Sequence, residues 1–161
     1  MYATQLAKLA KANGADVILY MTSPETQNQK PVTEPVSPGS AKRDLAIGLE
    51  LEKRIQPKAV VHVPLAIRMI QNGGTDLCFR YNNDGHPNQT CAFLTANLFY
   101  AAFTGKSPEL LSFNTIVETK VRNGKDPDGG ELKRVFDAET KIYLQKMAYE
   151  SVKEFERLKG N

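Results

Sequence analysis

This chain of 161 residues has only two histidines, and one of them, His86, stands in the polar turn "YNNDGHPNQT", two positions after Asp84. Imidazole is the side chain whose ordinary pKa lies nearest neutrality, and a carboxylate on one ring nitrogen fixes the tautomer the ring holds. That pairing suits a general base. The plainer reading is a turn residue whose ring hydrogen-bonds its own loop. The other histidine, His62, lies in the apolar run "VVHVP" and reads as a hydrogen-bonded core residue rather than a ligand.

The remaining chemistry-bearing groups are sparse. Cys78 and Cys91 could pair, but without CxxC spacing two reduced, packed thiols are the simpler expectation. Cys78, His86 and Cys91 as a zinc set would have no recognised ligand spacing. Asp126 and Asp128 in "GKDPDGG" suggest a calcium loop, which Pro127 and the lack of a closing Glu argue against; a solvated turn is preferred. Gly73 and Gly74 lack the spacing of a phosphate cradle.

Composition limits the partners. The formal charge is +3 and the basic residues are mixed with acidic ones, so no stripe for nucleic acid is expected. No apolar run reaches the roughly 18 residues a membrane helix requires. The first residues lack the pattern of a signal peptide. Localisation is left open.

The elements that must position His86 follow from periodicity. Tyr2, Leu6, Leu9 and Ala10 share one face of a helix over 2–13, which "NG" at 13–14 stops. "ADVILYM" (15–21) and "AVVHVP" (59–64) are short runs apolar on both faces, as in buried strands of a parallel sheet. Residues 22–39 hold four of the nine prolines and read as loop. Ser40 is the expected cap of a helix over 41–55, which ends before Pro57, and a shorter helix is expected over 65–71.

After the His86 turn, residues 89–103 are apolar nearly all round and predict a buried helix. Residues 113–130 read as a hairpin or ordered loop, and Asp137 should cap a closing helix to about 158. The order helix–strand–helix–strand–helix is that of an α/β fold. Two strands are too few for an independent doubly wound sheet, so the chain reads as part of a domain with an open sheet edge.

The stretch "NNDGHPNQTCAFLTANLFYAAFTGKSP" resembles the final block of SGNH (GDSL-type) hydrolases, where a "DGxHP" turn precedes a buried helix. "GADVILYMT" is similar to the fourth strand of one esterase-like branch, and "AVVHVPLAIRMI" to its fifth strand and following helix. "VFDAETKIYLQKMAYESV" is similar to that branch's C-terminal helix. The resemblance implies an incomplete flavodoxin-like three-layer α/β sandwich. Residues 1–111 would be the C-terminal portion of the hydrolase domain, 112–136 a hairpin or loop insertion, and 137–161 a helix packed on the same domain.

By resemblance His86 is the general base of a serine esterase acting on an ester, plausibly an O-acyl group on carbohydrate. The family's orienting Asp falls on Asn83 here, while the nearest carboxylate is Asp84; Cys91 stands where the family usually has Gly. The family's "GDS" nucleophile block and its Gly and Asn oxyanion blocks are not found. "PGS" at 38–40 is only a superficial likeness to the first. The chain alone is therefore expected to be inactive, and the chemistry implies no metal or organic cofactor. The rival expectation is a non-catalytic binding module derived from such a hydrolase, self-associating through its open sheet edge.

Overall fold

The computed structural model describes residues 2–34, 36–37, 39–119 and 123–160. The chain is a mixed α/β protein with 53% helix and 12% strand, so its small sheets are heavily outweighed by the helices around them.

Helix α1 spans Tyr2–Ala12 and stops at Asn13–Gly14, where Gly14 takes the left-handed conformation (φ 75°) that a side chain disfavours. Strand β1 (Ile18–Met21) follows, then a proline-rich loop and helix α2 (Gly39–Ile55). Ser40 lies inside α2, one residue past its start, so it is not the cap the sequence suggested. Lys11 of α1 closes the other end, donating to the carbonyls of Ile55 and Gln56 at 2.7 Å each. A cation there satisfies carbonyls that the helix leaves unpaired.

Strand β2 (Ala59–His62) pairs parallel with β1, Ile18 opposite Ala59 through Met21 opposite His62. Every β2 residue is buried, as the apolar run required, whereas Tyr20 of β1 is 49% exposed. Among the described residues each strand pairs only with the other, so the difference lies in the covering helices, three of which pack on β2 and fewer on β1. β2 is also shorter than expected. Helix α3 (Val63–Asn72) starts immediately after His62, with Pro64 in its first turn, where a missing N–H costs nothing.

Helix α4 (Gln89–Thr104) is the buried helix the sequence predicted, ended by left-handed Gly105. Phe93, Leu94 and Leu98 are at most 1% exposed. Strands β3 (Thr115–Val117) and β4 (Lys133–Val135) form an antiparallel pair, so the hairpin expectation fits. Residues 120–122, within the stretch read as a hairpin or ordered loop, lie outside the described residues. Helix α5 (Ala138–Lys159) begins at Asp137, whose carboxylate accepts from the Thr140 N–H at 2.8 Å.

The two faces of the parallel pair meet different helices. Gly48 of α2 presses against Met21 and His62, while Phe99 of α4 lies 5.4 Å from the Tyr20 ring on the opposite face. Helix α5 packs on α3, α4 and β2 and reaches α2 through a Lys159–Glu52 ion pair at 3.3 Å. The core is aromatic at its centre, with the Phe93 and Phe136 rings stacked at 4.4 Å and fully buried Phe79 nearby. Each fully buried ring contributes roughly 1.5–3 kcal/mol.

Candidate functional site

The His86 turn sits between two short antiparallel arms. Arg80 bridges Pro87, the Tyr81 N–H donates to the His86 carbonyl at 3.1 Å, and the Asn88 N–H to the Phe79 carbonyl at 3.2 Å. Residues 82–85 are thereby forced into a tight loop. Gly85 lies close under the Arg80 guanidinium, which a Cβ there would meet at 2.9 Å and push aside.

Within that loop the Asp84 carboxylate accepts the His86 backbone N–H at 3.1 Å and a short hydrogen bond from ring Nδ1. An Asp that bonds the backbone two residues on closes an Asx turn, so the bond that shapes the loop also places the acid beside the ring. A carboxylate only accepts, so this hydrogen bond places a proton on Nδ1. The Asp84 side chain is 6% exposed and that of His86 70%. The acid is held inside and the ring is presented outward.

The departure noted in the sequence thus has a structural answer. Asn83, at the position suggested for the orienting acid, instead turns its backbone N–H to Asp128 Oδ1 at 2.8 Å. Asp128 also accepts the Asn82 N–H at 3.0 Å. The turn read as solvated is therefore a clamp on the His86 loop. It is stiffened by Asp126, whose Oδ1 accepts from the Asp128 and Gly130 N–H groups. Composition signalled the turn, but only the fold brings it 45 residues back along the chain to Asn83.

Two further supports were not foreseen. Gln29, in the loop after β1, donates to the Tyr81 carbonyl at 2.8 Å and so ties the turn to that loop. The Tyr81 hydroxyl donates to Glu118 at 2.8 Å. Burial and then this carboxylate push its pKa well up, so it stays a neutral phenol.

Helix α4 anchors the other side of the turn. Asn88 accepts from the Thr90 and Cys91 N–H groups at 3.0 and 3.1 Å and donates to the Cys78 carbonyl at 2.9 Å. Arg134 of β4 donates to Thr90 Oγ1 at 2.7 Å, docking the hairpin onto the same helix start. Cys91 is 2% exposed, and burial pushes its thiol up to about 12, making it an inert packing group. Neither cysteine is disulfide-bonded, and among the described residues no cluster of three His, Cys, Asp or Glu suits a metal.

The serines offer no counterpart to His86. Ser23 is buried after β1, Ser107 caps a short turn through the Glu109 N–H, and Ser151 donates to the Ala148 carbonyl within α5. Among the described residues no serine stands where a strand runs directly into an α-helix; His62 occupies that junction after β2. The site presents an imidazole oriented by a carboxylate. It does not itself present a hydroxyl nucleophile on a strand-to-helix elbow. No family model, no curated protein and no solved structure matches the chain.

Proposed function

We propose that this chain supplies the acid–base half of an SGNH-type serine esterase, with His86 as general base and Asp84 as the carboxylate that orients it. The Asp84–Nδ1 hydrogen bond carries this reading, because a general-base imidazole needs a carboxylate to orient it and this ring is held facing outward. In the reaction Nε2 would take the proton of a serine hydroxyl as the oxygen attacks the ester carbonyl. It would then return that proton to the departing alcohol, and a second cycle with water would release the acid. The ester class, an O-acylated carbohydrate, rests on the resemblance of the "DGHPN" turn and following helix alone.

The serine and the oxyanion donors would come from polypeptide that pairs with the outer edge of β1. The Lys58 N–H donates to the Val17 carbonyl, so the regular parallel ladder directs the backbone groups of Val17, Leu19 and Met21 toward β2 and those of Ile18 and Tyr20 toward the outer edge. Tyr2, Leu6 and Leu9 of α1 are 85%, 66% and 63% exposed beside that edge, an apolar strip suited to being covered. The same features favour the second reading, a non-catalytic module that self-associates there.

The test is a chimera in which the N-terminal half of a known SGNH esterase, with its serine and oxyanion blocks, precedes residue 2. Hydrolysis of p-nitrophenyl acetate should appear in the folded chimera and fall about 100-fold or more in His86→Ala, the usual scale for a lost general base. The isolated chain should show the same background rate as its own His86→Ala variant. A folded chimera whose turnover ignores His86 would discard the esterase reading, and a concentration-dependent dimer of the chain blocked by Tyr20→Lys would favour the second.

A further inference from the structure

Away from the His86 turn, a cavity of about 230 Å³ lies where the first turn of α2 meets α3. Arg68 of α3 lines it and is only 8% exposed. Its Nε and Nη1 are out of contact with solvent and lack any acceptor, and no carboxylate among the described residues offsets its charge. A guanidinium withdrawn from water without a partner is costly and is rarely kept so. Here burial itself pulls its pKa down.

The surroundings of Arg68 are complementary to an anion. Ala41 and Lys42, in the first turn of the 17-residue helix α2, line the same cavity. Backbone N–H groups at that position lack intrahelical acceptors, and the helix dipole favours negative charge there. Asn72 adds an amide at the rim, while Val36, Leu45 and Leu65 make the remaining wall apolar. The cavity therefore joins a cationic end to an apolar body.

We propose that this cavity is a binding site for a small organic carboxylate with a short apolar tail, its carboxylate on Arg68 and Lys42 and its tail against Leu45 and Leu65. A carboxylate in the cavity would offset the Arg68 charge through Nη2, the guanidinium nitrogen not sealed from solvent, with Lys42 as a second cation. The inference does not rest on the esterase reading.

Calorimetric titration of the full chain in a buffer without competing anions tests it, with sodium butyrate, sodium acetate and inorganic phosphate as probes. Butyrate should bind roughly tenfold tighter than acetate, as two further buried methylenes predict, and tighter than phosphate. Arg68→Met should lose at least tenfold in butyrate affinity without lowering the melting temperature of the unliganded protein, since it removes an unpaired buried charge. Lys42→Ala, at an exposed position, should weaken binding several-fold and serves if Arg68→Met does not fold. No butyrate binding, equal binding of butyrate and phosphate, or butyrate affinity unchanged in the folded variants would overturn the proposal.

Discussion

The chain's two histidines stand at opposite extremes. His62 ends β2, is 3% exposed, and spends both ring nitrogens on backbone. Nδ1 accepts the Leu65 N–H at 3.1 Å and caps α3, and Nε2 donates to the Asp44 carbonyl at 3.2 Å. His86 lies in a surface turn, and its Nδ1 donates to a carboxylate. The Nδ1 of one ring accepts and that of the other donates. Backbone groups on both sides make an imidazole into a structural bracket, while one buried acid holds it facing outward.

If this contrast is right, stability belongs to His62 and chemistry to His86. The largest effect should come from His62→Ala, which removes the α3 cap, strands the Leu65 N–H and leaves space beside Phe155, whose ring lies 5.5 Å away. A loss of about 2–4 kcal/mol is expected from a cap, an orphaned donor and a cavity together, read from urea unfolding. Gly48→Ala should come next. Its Cβ would meet His62 Cδ2 and Met21 Sδ at 2.9 Å, and overpacking of that kind costs about 1–3 kcal/mol. A Gly48→Ala protein as stable as the parent would mean that His62 is not held as tightly as described.

Acidification probes the buried ring. Burial pushes the His62 pKa below its ordinary value near 6.5, so between these two pKa values the unfolded chain binds a proton that the folded chain refuses. Stability is fully present above the unfolded pKa and falls as pH drops toward the lower, folded one. Urea midpoints at pH 7.5 and 5.5 should show this loss, and His62→Gln should flatten it. The smallest effect on stability should come from His86→Ala, within about 0.5 kcal/mol, as for an exposed residue outside the core. A larger loss would make the His86 ring a structural bracket too, and would remove the distinction.

The same contrast explains what could be read from sequence. The His86 turn, the all-apolar α4 and the Asp137 cap on α5 were legible because each is set by residues a few positions apart. His62 was legible as a core residue but not as a cap, although Pro64 in the first turn of α3 was a local signal that the helix starts at once. The Asp128 clamp, the Gln29 tether and the unpaired Arg68 depend on neighbours far along the chain, and no local pattern encodes them. Tyr20 illustrates the limit for strands. Its run reads as buried on both faces, yet whether a face is covered depends on what packs on it, which β1 itself does not state.

The most direct test of the account is the tautomer of His86 in the intact chain, observed through long-range proton–nitrogen correlations of its imidazole at pH 8. The account predicts a protonated Nδ1 and an unprotonated Nε2, the reverse of His62 in the same spectrum, with Asp84→Ala shifting His86 away from the Nδ1–H form. His86 found with its proton on Nε2, or unaffected by loss of Asp84, would contradict the claim that this turn is built to present a base.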